Sequence, residues 1–303
     1  MSGDNEGTSC CASCGIAEID EIKLKDCDGC DLVKYCSDEC QHNHKSQHKK
    51  ECKKRAAELR DELLFKQPES SYLGDCPICS LPLSLDPKKS GMYYCCSKVI
   101  CSGCAIANEI REGGMRRELS CPFCRELVPE TDEEADKQNM KRIEANDPAA
   151  MCLKGMEQCN RGDYLSALEY FTKAAELGYA QAHYRMAAMY YDGEGVQVDF
   201  GKGNHHFEEA AIGGHSIARY ALGCHEKEYN GSIERAVKHW IIAANQGDDD
   251  AIKTLLVEFR EGSVSKEELA AALRAHKAAV DATMSPQREA AESCVDLSRI
   301  FGN

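Results

Sequence analysis

The residues best suited to chemistry in this sequence are cysteines that occur in short pairs. Of the 20 cysteines among 303 residues, fifteen combine with one histidine into two consecutive sets of eight. Two thiolates separated by two or three residues can bind one tetrahedral zinc ion, because the short turn between them directs both sulfurs to one point. At four ligands per ion, the two sets predict about four zinc ions per chain.

The two sets follow one another along the chain. The ligands of the first set are Cys11, Cys14, Cys27, Cys30, Cys36, Cys40, His48 and Cys52. The ligands of the second set are Cys76, Cys79, Cys95, Cys96, Cys101, Cys104, Cys121 and Cys124. Because the protein would supply every ligand, no position is left open for water or substrate, and these metals are expected to shape surfaces rather than catalyse.

Disulfide bonds are the alternative use of so many cysteines, and the sequence argues against them. The first residues carry no apolar core like that of a secretory signal peptide. We therefore expect a reducing compartment, the cytoplasm and/or the nucleus, where clustered cysteines indicate metal. No apolar run approaches the ~20 residues that span a bilayer, so no membrane association is expected.

The charge of the chain bears on its partners. A net charge of −14 makes nucleic acid an unlikely partner, because non-specific binding depends on a cationic face. Residues 41–60 are an exception, with seven lysines and arginines against two glutamates. This basic segment supports a weaker alternative, a nucleic-acid-associated regulator, although a solvated helix face is the simpler interpretation.

The elements that must position the ligands are small. Each cysteine-rich segment spans about fifty residues, too few to bury a self-sufficient core, so zinc must stabilise it. His48 and Cys52 lie four residues apart and share a helical face, which predicts a helix that continues to Leu64. The predicted order is a disordered N-terminus at 1–10, the first module at 11–55, a helix and linker at 56–73, the second module at 74–129 and a connecting helix at 130–147.

An internal repeat follows the zinc modules. The pattern Ala-Ala-x-x-Gly begins at Ala174, Ala210 and Ala243, which are 36 and 33 residues apart. This period is typical of arrays of helix pairs, and the glycine should end a helix in the left-handed conformation. We predict helical repeats over 148–262, followed by a capping helix and tail over 263–303.

The first module resembles the MYND zinc finger in the strings CSDECQ at residues 36–41 and HKKEC at residues 48–52. Cys10 and His44 are alternative ligands at two positions; the Cys-x-x-Cys spacing favours Cys11, and the closing string of the family favours His48. The resemblance implies interleaved ligand sets, one of Cys11, Cys14, Cys36 and Cys40 and one of Cys27, Cys30, His48 and Cys52. It also implies binding of proline-rich peptides.

The second module resembles an all-cysteine RING finger in the strings CPIC at residues 76–79 and CPFCR at residues 121–125. The resemblance implies a ubiquitin-conjugating enzyme docked on Ile78 and Pro122, with Arg125 bridging two partners through its planar guanidinium. The alternative is that the apolar pair packs locally and the arginine is a solvated cation. The implied ligand sets are Cys76, Cys79, Cys101 and Cys104, and Cys95, Cys96, Cys121 and Cys124.

The repeats resemble Sel-one-like repeats, which are related to tetratricopeptide repeats. The string YYDGEGVQVD at residues 190–199 and the only tryptophan, Trp240, carry this resemblance. A helical-repeat solenoid is expected to bind partners on its concave side, along the first helix of each pair. The candidates there are Tyr184, Arg185, Arg219 and Tyr220.

These observations predict a mainly α chain with two small cross-brace zinc modules, MYND-like and RING-like, followed by an α-helical repeat solenoid. The favoured function is a zinc-binding RING-type ubiquitin ligase whose MYND-like finger and repeats recruit protein partners. The alternative is a non-catalytic protein-interaction adaptor in which both zinc modules only bind peptides.

Overall fold

The computed structural model describes residues 9–113 and 119–292. It divides into two compact units, Met1–Lys66 and Gln67–Asn303. The disorder expected over residues 1–8 and the tail expected beyond residue 292 lie outside the described residues. Disorder is expected through residue 10, but Cys10 belongs to the fold, because it pairs with Ala17 in a β-bridge.

The first unit consists of a small hairpin and one long helix. Strand β1 (Lys25–Asp26) pairs antiparallel with β2 (Lys34–Tyr35), and helix α1 covers Asp38–Leu64. The Ser37 side chain accepts a hydrogen bond from the Cys40 amide and caps the start of α1. The helix predicted through the last ligands is therefore present and ends at Leu64.

Helix α1 has little apolar packing of its own. Of its 27 residues, His48 and Leu64 are buried. Beyond Cys52, Arg55 links the helix to the finger, because its guanidinium forms two hydrogen bonds of 2.7 Å to the Asp31 carboxylate. Within the helix it forms another of 2.9 Å to Glu62. Such a polar helix depends on its zinc-binding first half for a fixed position.

The second unit begins with a second hairpin. Strand β3 (Ser90–Tyr93) pairs antiparallel with β4 (Lys98–Cys101), so that Ser90 lies opposite Cys101. Helix α2 (Ser102–Gly113) follows directly. The adjacent cysteines at residues 95 and 96 thus occupy the hairpin turn, and the pair at 101 and 104 lies where the strand becomes a helix.

Antiparallel helix pairs fill the rest of the described chain. After α3 (Asp132–Glu144), the repeat helices are α4 (Pro148–Asn160), α5 (Tyr164–Glu176), α6 (Ala180–Asp192), α7 (Phe200–Ile212), α8 (Ser216–Glu228), α9 (Ile233–Asn245), α10 (Asp249–Glu261) and α11 (Lys266–Ala282), and α12 (Pro286–Glu292) ends the described residues. The predicted glycines at residues 178, 214 and 247 all have positive φ angles, between 79° and 90°.

Within each of the first three pairs, a glycine of one helix faces an aromatic ring of the other. A Cβ atom at Gly155 would lie 2.5 Å from Phe171, and one at Gly223 would lie 2.4 Å from Trp240. In the middle pair the roles are exchanged, with Gly203 on the second helix facing the Tyr191 ring at 2.5 Å. The absent side chain is what lets the paired helices close around a large ring.

The segment predicted as a linker packs against the repeats. The Tyr72 ring stacks on His215 with ring centroids 4.1 Å apart, and His215 stacks on Tyr184 at 4.4 Å. The Tyr72 amide also donates to the Gly214 carbonyl. This segment is therefore part of the second unit's fold and not a free spacer.

Helix α12 packs on the second zinc module. Arg288 is 7% exposed, and its guanidinium donates to the carbonyls of Leu81, Pro82 and Thr283. The Gln287 side chain donates to the Gly103 carbonyl at the start of α2. A helix more than 150 residues downstream in sequence thus completes the module.

One candidate for a concave binding surface is placed differently from the prediction. Arg219 is fully buried, and its Nη2 donates to the Ala211 carbonyl at 2.7 Å. The expectation that Arg219 contacts partners is wrong, because the side chain turns inward to a neighbouring helix end. Arg185 is exposed, and Tyr184 and Tyr220 are half-buried.

Among the helices of residues 9–113 and 119–292, none combines the length and apolar character needed to cross a bilayer.

Candidate zinc centres and docking surface

The sixteen predicted ligands gather into four clusters, each with four donor atoms within 4.8 Å of one another. In the first unit the clusters are Cys11, Cys14, Cys36 and Cys40, and Cys27, Cys30, His48 and Cys52. In the second unit they are Cys76, Cys79, Cys101 and Cys104, and Cys95, Cys96, Cys121 and Cys124. Every cluster joins two ligand pairs that are distant in sequence, which is the interleaved arrangement that both resemblances imply.

Distances inside the clusters fit zinc and do not fit disulfides. Two sulfurs on one tetrahedral zinc with bonds of ~2.3 Å lie about 3.8 Å apart, whereas a disulfide holds them at about 2.0 Å. The sulfur pairs between segments are Cys14–Cys36 at 3.5 Å, Cys27–Cys52 at 3.8 Å, Cys79–Cys101 at 3.8 Å, Cys96–Cys121 at 3.6 Å and Cys95–Cys124 at 3.2 Å. The donor sets therefore fit four structural zinc ions, one for each cluster.

The structure distinguishes the alternative ligands of the first unit. His48 Nε2 lies 3.1 Å from Cys30 Sγ, whereas His44 Nδ1 lies 3.0 Å from the Tyr35 hydroxyl. The two imidazole rings stack with centroids 5.8 Å apart, so His44 supports the ligand from outside the cluster. Cys10 is likewise outside the four clusters, next to Cys11 within one.

Three of the Cys-x-x-Cys turns share one backbone conformation. The residue after the second cysteine has a positive φ angle, 75° at Gly15, 54° at Ser80 and 62° at Arg125. In each case its amide donates to the carbonyl of the first cysteine, at 2.9, 2.8 and 3.0 Å respectively. This bond closes the turn and points both thiolates at one site. Two of these positions carry side chains in a conformation that favours glycine.

Thiol ionisation at the second module depends on α12. Burial opposes ionisation of Cys79, but hydrogen bonds from the Leu81 backbone and from Arg288 outweigh it and lower the pKa to about 7. The distance from the Arg288 guanidinium to Cys79 Sγ is 3.3 Å. A cation that donates to a thiolate from outside the cluster orients it and favours the metal-binding form.

The predicted docking residues lie at the first and last of the three Cys-x-x-Cys turns of the second module. Ile78 is 44% exposed and Phe123 is 37% exposed, Pro122 is half-buried and Arg125 is exposed. The two Cys-x-x-Cys turns of the first unit carry Ala-Ser at residues 12–13 and Asp-Gly at residues 28–29. Large apolar side chains therefore lie at the first and last Cys-x-x-Cys turns of the second module but at neither Cys-x-x-Cys turn of the first unit.

Comparison with known families agrees with this geometry in two regions. Residues 11–52 match the family model of the MYND finger. Residues 149–179, 180–215 and 216–248 each match the Sel1 repeat. The chain contains a MYND finger and three Sel1 repeats. The MYND and Sel-one-like resemblances are thereby confirmed, and so is the mainly helical fold class. Neither match covers residues 74–129.

Several solved structures are similar to this chain. A Sel1 repeat protein from Oxalobacter formigenes is 24% identical with a TM-score of 0.45, over 59% of this chain and 73% of that chain. A protective antigen present in uropathogenic Escherichia coli strains and displaying an SLR fold is 22% identical with a TM-score of 0.39, over 56% of this chain and 37% of that one. No curated protein matches.

The combination of a zinc-stabilised MYND finger with Sel1 repeats is that of a protein-interaction module. The sequence reasoning missed Arg288 and Tyr72, which hold the second zinc module and the repeats together. Neither residue belongs to a spacing pattern. For Arg288, the proline at residue 286 was the one feature of the sequence that indicated a further helix there.

Proposed function

We propose that the second zinc module is a RING-type module that docks a ubiquitin-conjugating enzyme, and that the MYND finger and Sel1 repeats recruit the protein to be modified. One observation carries the proposal: a zinc module with four protein donors per cluster leaves large apolar side chains exposed at its first and last Cys-x-x-Cys turns. Because Ile78 is 44% and Phe123 37% exposed, a partner that covers them gains about 1 kcal/mol from each side chain.

Arg125 supports the same interpretation. Its backbone is held by the hydrogen bond to the Cys121 carbonyl, so the exposed side chain projects from a fixed point beside the last zinc ligand. A guanidinium offers five donors in a rigid plane and can bond two partners at once. Transfer of ubiquitin would need such a group to hold the thioester in place, since the metals are fully ligated and the contribution is one of positioning.

The test is ubiquitin discharge from a panel of charged conjugating enzymes in the presence of the full chain. Ile78→Ala should abolish enzyme binding, because truncating a central apolar anchor costs ~2 kcal/mol or more. Ile16→Ala is the matched control, since Ile16 of the MYND finger is also 44% exposed, and it should leave discharge unchanged. Arg125→Ala should keep binding of the uncharged enzyme and slow discharge.

A non-catalytic adaptor is the second candidate, favoured by the fact that the matched MYND and Sel1 regions are interaction modules. Background discharge with every enzyme of the panel would leave this candidate in place of the ligase. If discharge occurs but neither substitution alters it, the activity stands and the assigned residues are wrong.

A further inference from the structure

We propose that the second Sel1 repeat carries a binding site for a divalent transition-metal ion of the zinc or nickel type, held by His183 of α6 and His206 of α7. The Nδ1 atoms of the two rings lie 3.1 Å apart. Two nitrogens bound to one tetrahedral ion at ~2.0–2.1 Å are about 3.3 Å apart. Cys30 Sγ and His48 Nε2, two donors of one zinc cluster, show the same separation of 3.1 Å.

Groups outside the pair act on both rings. The backbone of Ala175 favours the protonated form of the His183 imidazole, against the larger effect of burial on its pKa. The His206 ring stacks on Tyr190, with centroids 5.7 Å apart and planes 7° apart.

The electrostatic setting suits a cation. Glu209 follows His206 by three residues and so lies on the same face of α7, and its negative charge acts on both imidazoles. Burial lowers the pKa of both rings, so they are neutral at pH 7, the form that binds metal. Imidazole nitrogens are donors suited to zinc and nickel. With two protein donors, this site is weaker than the four-ligand clusters.

The test is a calorimetric titration of the full-length, zinc-loaded protein with nickel chloride. The wild-type chain should bind one nickel ion with its zinc content unchanged. His183→Gln and His206→Gln should each weaken that binding by roughly tenfold or more, since changes even outside a metal's ligand shell cost that much. His205→Gln is the matched control, because His205 is the exposed neighbour on α7, and it should bind as the wild type does.

A second measurement needs no variant and covers the case of a substituted chain that misfolds. Paramagnetic nickel added to the wild-type protein should broaden the amide signals around residues 183 and 206 first. Broadening centred elsewhere would overturn the proposal, and so would equal nickel affinity in the wild type and both glutamine variants. Either result would leave the two rings as a hydrogen-bonded pair of neutral imidazoles.

Discussion

At the scale of single residues, the backbone of two zinc-binding turns is mildly strained. Ser80 and Arg125 occupy the left-handed region after the second cysteine of their pairs, where Gly15 does the same in the MYND finger. A side chain there costs ~1–2 kcal/mol relative to glycine. The arginine at this costly position in the second module is consistent with a functional demand on its side chain.

Glycine substitution separates that strain from the chemistry. Arg125→Gly and Ser80→Gly should each stabilise the zinc-bound module by up to ~1 kcal/mol, because each replaces a side chain in the left-handed conformation by glycine. Both variants should therefore release zinc at a higher denaturant concentration than the wild type. Ubiquitin discharge should fall with Arg125→Gly and stay unchanged with Ser80→Gly. A chromogenic chelator follows zinc release in the full chain. If Arg125→Gly released zinc more easily than wild type, the strain argument would fail.

His215 should make the repeats sensitive to acid. Its Nδ1 accepts from the Ala218 amide and its Nε2 donates to the Gln181 carboxamide, which is the neutral tautomer. Burial, with the positive charge of Arg185, lowers its pKa to about 3. The unfolded chain, with a pKa of ~6.5, therefore binds the proton first, so the contribution of His215 to stability is complete above pH 6.5 and declines below it, by at most ~1.4 kcal/mol per pH unit.

The measurement is the free energy of urea unfolding, followed by Trp240 fluorescence at pH 7.5 and 5.0. His215→Asn keeps an oxygen that can cap α8 and removes the titrating group. The variant should be less stable than the wild type at pH 7.5, because the stack between Tyr72 and Tyr184 is lost, and this deficit should shrink at pH 5.0. Any zinc loss at low pH should affect the wild type and the His215→Asn variant equally. An equal deficit at both pH values would contradict the prediction.

At the scale of elements, the repeats are built from helices that approach closely where a glycine meets a ring. The sequence pattern predicted the period, the helix pairs and the left-handed glycines, because these depend on local spacing. It did not predict which helical glycine faces which ring. That choice depends on the packing of two helices, and in the middle pair Gly203 and Tyr191 exchange the positions used in the other pairs.

Two glycines of α7 provide a matched test of this packing. Gly203→Ala should destabilise the repeats by ~1–3 kcal/mol, because a Cβ would lie 2.5 Å from the Tyr191 ring. Gly201→Ala, two residues earlier on the same helix, should be neutral or stabilising by up to ~1 kcal/mol, since its Cβ meets only the Asp199 carboxylate at 3.3 Å. Thermal unfolding by circular dichroism compares them. Equal effects would contradict the close-approach argument.

At the scale of the whole molecule, the second unit is held together by residues far apart in sequence. Arg288 of α12 bonds to the zinc turn at Cys79, and Tyr72 stacks into the repeats at His215. Ligand sets and repeat period could be predicted from the sequence because each motif carries its own spacing. The contacts of Arg288 and Tyr72 could not be predicted from the sequence, because no local spacing specifies which distant residue an arginine or a tyrosine will contact in the fold.

Removal of zinc tests how stability is divided within this unit. Chelation of the full chain with EDTA should unfold both zinc modules, since structural zinc supplies ~10–16 kcal/mol per site to segments with little core. Helices α4–α10 should stay folded, because neighbouring repeats bury Phe171, Trp240 and their alanines without metal. Helix α12 should be released with the second module, because Gln287 and Arg288 bond to it.

Hydrogen exchange by mass spectrometry would show fast exchange in residues 76–124 and 286–292 and continued protection around Trp240. Adding zinc back should restore protection in α12. Loss of protection in α9, or an α12 that stays protected without zinc, would show that stability is divided differently.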